Sequence, residues 1–127
     1  GGGIGDDEIY GGSESTVSGG QGSDFLSGAT VSFADATGAV EVDVANRTAH
    51  GEGEDELDGV VNVIGSAYGD IITGDAQSNL IQGGSGDDEI DGGDGDDDLM
   101  GDAGTDDIDG GFGLDSCDAE SEFNCEV

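Results

Sequence analysis

The sequence predicts an all-β fold, a right-handed parallel β-solenoid with two nine-residue units per coil, and three observations predict it. Residues 65–118 divide in one unbroken register into GSAYGDIIT, GDAQSNLIQ, GGSGDDEID, GGDGDDDLM, GDAGTDDID and GGFGLDSCD. Every nine opens with Gly, places Asp70, Asn79, Asp88, Asp97, Asp106 or Asp115 sixth, and places Ile72, Ile81, Ile90, Leu99, Ile108 or Cys117 eighth. The 127 residues include 28 Gly, four Phe, two Tyr and no Trp, which cannot fill a conventional globular core.

The first six places of each nine are rich in Gly, Asp, Ser and Asn, which accept positive φ and tight turns, so only the last three can be extended strand. In such a strand the middle residue points opposite to its neighbours. Ile72, Ile81, Ile90, Leu99 and Ile108 therefore face inward, and Thr73, Glu89, Asp91, Asp98 and Asp107 face water. One apolar side chain per nine suffices only if strands stack in parallel, with identical positions recurring every second nonapeptide.

Thirty-two Asp and Glu stand against one basic residue, Arg47, for a formal charge of -31. Low hydrophobicity with such self-repulsion keeps a chain open unless cations offset it. Ca²⁺ is a hard cation that takes about six to eight oxygen ligands, carboxylates and backbone carbonyls together, which a Gly-Asp turn can present. An acidic disordered tail is the plain alternative, and it would lack a nine-residue register with apolar residues in phase.

Residues 1–29 read as N-terminal nonapeptides. GGIGDDEIY carries Asp7 and Ile9 in phase, GGSESTVS is one residue short with Val17 as its core residue, and GGQGSDFLS restores Asp24 and Leu26. The short unit has Ser15 or Thr16 where Asp belongs and should bind metal poorly. Residues 30–64 read as longer, irregular strands that thicken the solenoid. Val31-Ser32-Phe33 alternates, Val40, Val42 and Val44 share one face, and residues 35–38 and 45–48 read as turns. HGEGEDELD at 50–58 is a degraded nonapeptide with Asp55 and Leu57 in phase, before a short apolar strand at 60–64. Residues 65–118 are the regular repeats and 119–127 a C-terminal cap, all within a single domain spanning 1–127.

The consensus G-G-x-G-x-D-x-U-x, with U a large apolar residue, resembles the RTX, or hemolysin-type, calcium-binding nonapeptide repeat family. TVSFADATG, VEVDV and LDGVVNVIGSAYGDIITGDAQSNLI are similar to the leader before many such arrays, so the resemblance covers nearly the whole chain and is strongest from residue 65. It implies a parallel β-roll that binds several Ca²⁺ ions in rows along both edges. Each sixth-place Asp would bind between adjacent turns, and glycine-turn carbonyls would complete the shell. Stacking of every second nonapeptide gives one row of Asp70, Asp88 and Asp106, extended by Asp55, and a second of Asn79, Asp97 and Asp115. Asp7 and Asp24, one coil apart, form a further pair. Asn79 offers an oxygen without a charge, which makes its site weaker.

Cys117 and Cys125 cannot make a zinc site without His or further Cys. A disulfide over the last coil and a buried free thiol remain, and oxidising extracellular space, where calcium is abundant, favours the disulfide. Asn46-Arg47-Thr48 matches an N-glycosylation sequon in an exposed turn. No Gly-x-Gly pair continues into a dinucleotide or phosphate-binding loop. Asp87, Glu89, Asp91 and Gly92 mimic the start of an EF-hand loop, but Asp98 stands where its final Glu belongs and the repeating glycines forbid flanking helices. A single His50 and a single Arg47, read as ordinary turn residues, allow no Ser-His-Asp or His-metal set, and no aromatic cleft turns the paired carboxylates into a glycosidase. The charge excludes nucleic acid as a partner.

The expected function is therefore non-enzymatic: a Ca²⁺-folded structural module of a secreted or cell-surface protein. The alternative is a self-assembling subunit of an extracellular filament or surface layer. The first coil begins in mid-pattern, so a preceding domain or a second copy docked head-to-tail is expected to cover it. No run has the apolar length of a membrane span and no signal peptide is present, which reads as a matured chain or a piece of something longer.

Overall fold

The computed structural model describes residues 1–119, 121–123 and 125. Two sheets face each other across one layer of apolar side chains, and strands are numbered in chain order. The larger sheet holds, in spatial order, β2 (Glu8–Tyr10), β5 (Phe25–Ser27), β9 (Glu54–Asp58), β8 (Thr48–His50), β7 (Glu41–Asp43), β11 (Ile71–Thr73), β13 (Glu89–Asp91), β15 (Asp107–Asp109) and β17 (Ser121–Phe123). The facing sheet runs β3 (Thr16–Val17), β6 (Thr30–Ser32), β10 (Asn62–Ile64), β12 (Leu80–Ser85), β14 (Asp98–Ala103) and β16 (Ser116–Asp118). β1 (Gly3–Ile4) and β4 (Gly20–Gln21) pair with each other over the first turns. The architecture is the expected right-handed parallel β-solenoid.

Register follows the nines. Ile72 pairs with Ile90 and Ile90 with Ile108, while Ile81 pairs with Leu99 and Leu99 with Cys117, each step two nonapeptides. Leu26, Leu57, Ile72, Ile81, Ile90, Leu99 and Ile108 are fully buried. Each such side chain contributes on the order of 1.5–3 kcal/mol. Glu89, Asp91, Asp98 and Asp107 are exposed and Thr73 is half-buried, as the alternation requires. Ile9 pairs with Leu26, one place short of two full nonapeptides, which accommodates the shortened unit between them.

Two features depart from the sequence reading. β12 and β14 do not stop after three residues: Gly84 pairs with Asp102 and Ser85 with Ala103, because two like turns stacked in parallel keep their backbones in hydrogen-bonding range. The second departure is a reversal of direction. β8 is antiparallel to both β7 and β9, where a parallel coil was expected throughout. Residues 44–47 turn the chain back, so Thr48 and His50 belong to a strand rather than to turns. β10 pairs directly with β12 on one face, whereas β8 and β7 stand between β9 and β11 on the other. Two extra strands at about 4.8 Å each widen that face by roughly 10 Å.

The inserted strands are held by packing. Val31, Phe33, Val40, Val42, Val44, Ala49, Leu57, Val60 and Val63 form one buried cluster with the repeat isoleucines. Of the cap expected at 119–127, residues 120, 124, 126 and 127 lie outside the described residues; β17 adds a strand beside β15. Cys117 and Cys125 form a disulfide, and both pack against the core.

Candidate functional site

The glycine-bearing nonapeptide turns take positive φ in their second and fourth places. Gly84 and Gly86 have φ of 107° and 110°, and Gly93 and Gly95 have 96° and 114°. Asp102 takes the second place of its unit at φ 69°, a conformation Asp tolerates better than most residues. The first-place glycine has a different role. A Cβ on Gly83, Gly92 or Gly101 would collide with the Oδ2 of Asp88, Asp97 or Asp106, the sixth-place carboxylate of the same turn. The Cβ that Gly92 lacks would also lie 2.7 Å from the carbonyl oxygen of Gly110 in the next coil. Turn carboxylates and stacked carbonyls thus converge on space that only glycine leaves open.

The sixth-place residues form ladders. Asp70 N–H donates to Asp88 Oδ1 at 2.7 Å and Asp88 N–H to Asp106 Oδ1 at 2.9 Å. On the opposite edge Asn79 N–H donates to Asp97 Oδ1 at 2.7 Å and Asp97 N–H to Asp115 Oδ1 at 2.9 Å. A third ladder runs through the first coils, from Asp7 N–H to Asp24 Oδ1 at 2.8 Å and from Asp24 N–H to Asp55 Oδ1 at 3.0 Å. Asp55 therefore continues the Asp7–Asp24 row and does not extend that of Asp70, because β8 and β7 separate the two. Val40 N–H takes the neighbouring place and donates to Asp70 Oδ1 at 2.9 Å.

Each of these ladder bonds uses one carboxylate oxygen. The other, Oδ2 of Asp24, Asp88, Asp97 and Asp115, is buried without a hydrogen-bond partner, as is Oδ2 of Asp7, which heads its ladder as a donor. An ionised carboxylate oxygen so placed is unfavourable unless a cation or a proton meets it. Burial accordingly pushes Asp88 and Asp97 up from 3.8 to about 6; the N–H of Asp70 or Asn79 opposes this, and neighbouring carboxylates add to it. Asp55 is raised to about 6, again chiefly by burial. Among the described residues no three His, Cys, Asp or Glu side chains converge on one point. A cation held here must take much of its shell from backbone carbonyls, which suits a hard ion with many oxygen ligands and not a thiolate or imidazole metal.

Two sixth-place residues are already satisfied. Asp70 Oδ2 accepts from Ser66 N–H at 2.5 Å, and its Oδ1 accepts from Ser66 Oγ at 2.6 Å as well as from Val40. Asn79 Oδ1 accepts from Asp75 N–H at 2.9 Å, while its Nδ2 donates to the Val61 carbonyl at 2.8 Å and to Asp75 Oδ1 at 3.2 Å. Ser66 and Asp75 escaped the sequence reading. Their signal was a polar side chain where three of the four later repeats carry glycine, four places before the sixth-place group.

The remaining candidates lie elsewhere. Asn46 is exposed in the turn between β7 and β8, and its Nδ2 donates to Asp43 Oδ2 at 2.6 Å. Arg47, at φ 63°, pairs with the Asp58 carboxylate and donates from Nε to the Leu57 carbonyl, so it ties the turn to β9. His50 is exposed on β8, in register with Glu41 on one side and Glu54 on the other. No described helix is long and apolar enough to cross a membrane.

The profile of the RTX calcium-binding nonapeptide repeat matches the chain in four copies, over residues 2–30, 64–99 and 87–117. These spans cover the turns whose sixth-place carboxylates carry buried Oδ2 atoms without hydrogen-bond partners. No curated protein compared with the chain matches it.

Proposed function

Because the chain belongs to the RTX calcium-binding nonapeptide repeat family, we propose that this structural β-roll module folds by binding several Ca²⁺ ions and serves a secreted or cell-surface protein. The buried, unpartnered Oδ2 atoms of Asp7, Asp24, Asp88, Asp97 and Asp115 carry the reading. Asp106 stands in the same row as Asp88 and accepts from its N–H. Calcium supplies positive charge and accepts many oxygen ligands at once. The residues do the rest: Asp24, Asp88 and Asp97 each accept from an N–H of the preceding coil through Oδ1 and turn Oδ2 toward the space that the first-place glycine leaves open. Asp55 is a candidate ligand of the first ladder, whereas Asp70 and Asn79 already have protein partners. The family's repeats are structural rather than catalytic.

Circular dichroism of the chain in excess chelator and in millimolar Ca²⁺ tests the proposal. The expected result is a gain of β signal with a midpoint of roughly 10⁻⁴ to 10⁻³ M, the range of extracellular calcium modules. The same β spectrum in chelator as in calcium would defeat it. Particle mass in the same titration reads head-to-tail association, which would raise the mass with calcium and protein concentration.

A further inference from the structure

The turns that enter the strands fall into two chemical kinds, and from their distribution we infer that a middle body of the chain, residues 28–49 and 56–82, folds without calcium, while the coils on either side of it need the ion. This rests on the calcium reading above and adds a division to it. In one kind, exemplified by residues 83–88, the second and fourth places hold glycines at positive φ and the sixth-place Asp keeps a buried Oδ2 without a partner. In the other, at 65–70 and 74–79, those places hold Ser66, Tyr68, Asp75 and Gln77, none at positive φ, and the sixth-place side chain is hydrogen-bonded within the protein.

Among the described residues, the first kind occupies both flanks of the chain and the second its centre. The glycines at positive φ in residues 50–55, Gly51 and Gly53, belong in space to the first flank, where Gly22 N–H donates to the Glu52 carbonyl. No carboxylate between residues 25 and 87 leaves a buried oxygen without a partner.

Apolar packing divides the chain in the same way. Twelve of the seventeen buried apolar side chains lie between Val31 and Ile81. Residues 83–118 contribute only Ile90, Leu99 and Ile108 to that set, against 14 Asp and Glu and no basic residue. Coils with one apolar side chain per strand and buried unpartnered carboxylates at Asp88, Asp97 and Asp115 have little to hold them before the charge is met. The middle body has a contiguous core and turns closed by its own side chains, so its strand edges are available for flanking coils to stack upon as calcium arrives. Nearest-neighbour stacking is how solenoids propagate order.

Hydrogen–deuterium exchange of the full chain, read by mass spectrometry in excess chelator and then in millimolar Ca²⁺, tests the division. In chelator the amides of β7, β10 and β11 are expected to exchange at least ~100-fold more slowly than those of β2, β13, β14 and β15, and calcium should slow the second group while changing the first little. If all strands exchange together in chelator and gain protection together in calcium, the inference is overturned and the calcium reading stands. If calcium protects no strand, both fall. Two variants guard against an ambiguous result. Asp97→Ala should remove calcium-driven protection from β14 and β16 and leave β7 and β10 unchanged in chelator. Val63→Asp, which places a charge at a fully buried position of the middle body, should remove protection from both flanks even in calcium. Calcium-driven protection of β13 and β15 that survives Val63→Asp would show coils folding on their own and overturn the inference.

Discussion

The strands around the β7–β8 reversal and the regular repeats after residue 82 complete the same solenoid by different means. Around the reversal, Val40, Val42, Val44, Ala49, Leu57 and Val63 fill the space between the sheets, and the turns are closed by Ser66, Asp75 and Asn79. In the regular repeats each strand adds one buried apolar side chain, and each turn adds a carboxylate whose second oxygen has no protein partner at Asp88, Asp97 and Asp115. β11 pairs in parallel with β7 on one side and with β13 on the other, so the two regions share one continuous face even though β8 runs antiparallel. What the ion is proposed to supply is the neutralisation that packing cannot give to a chain of charge -31.

Truncating a central packing residue should separate the two regions most sharply. Leu57 is 1% exposed and pairs with Leu26, so Leu57→Ala removes packing on both sides of β9. A loss of about 2–5 kcal/mol is expected, as for buried Leu truncations generally, and it should be present without calcium as well as with it. Denaturant titrations under both conditions measure it. A loss that appears only in calcium would mean the middle strands are themselves organised by the ion.

Asn79→Asp sharpens the same contrast. If Asn79 were an ordinary member of its row, the added charge would simply improve calcium affinity. Its Nδ2, however, donates to the Val61 carbonyl and to Asp75 Oδ1, and a carboxylate oxygen there would face two acceptors. The expected result is a loss of about 1–3 kcal/mol in chelator, the penalty for an unsatisfied buried polar group. A variant with unchanged stability in chelator and a lower calcium midpoint would place Asn79 with the metal ligands.

Position should matter more than charge count within the repeats. Asp97 is 3% exposed and sits in a ladder, whereas Asp98 is exposed on the outer face of β14. Asp97→Ala should raise the calcium midpoint about tenfold or more, near 1.4 kcal/mol, and Asp98→Ala by less than about twofold, as for surface charges generally. Equal shifts would reduce calcium to a diffuse counterion.

How much of this was legible depends on what repeats. The register over 65–118, the inward isoleucines and the stacking of the sixth-place residues could all be read from the nine-residue period. The antiparallel excursion could not be read from hydrophobic alternation, because a period of two is the same in parallel and antiparallel strands. Thr48-Ala49-His50 offers one small apolar residue, and its neighbours look like turn residues. The better signal was Ala45-Asn46-Arg47 between two extended runs, which is how a hairpin is punctuated. Asp55 was assigned to the wrong neighbour for the same reason. Its phase was right, but two strands of inserted chain move it away from Asp70. Ser66 and Asp75 were hidden because they look like sequence drift in a glycine-rich motif, and only the hydrogen bonds to Asp70 and Asn79 reveal their role.

The smallest expected effect is of pH on the metal-free chain. Burial, opposed by one backbone N–H and assisted by neighbouring carboxylates, raises Asp88 and Asp97 from 3.8 to about 6. A carboxyl group that binds its proton more tightly when folded than when unfolded favours the folded state where it is protonated. That contribution is fully present below about 3.8 and is lost as pH rises through about 6. In chelator, lowering the pH from about 7 to about 4.5 should therefore slow exchange at β13 and β14, with protons partly standing in for the missing cation. β7 and β10 serve as internal controls, since Val40 and Val61 occupy the place before their strands where the repeats carry Asp. A backbone N–H bond to each carboxylate opposes the shift, so the gain should be smaller than any of the preceding effects. With calcium present the direction reverses, because proton and ion compete for the same oxygens and the calcium midpoint should rise as pH falls through about 6. A calcium midpoint independent of pH across that window would mean that Asp88 and Asp97 are not the groups that meet the ion.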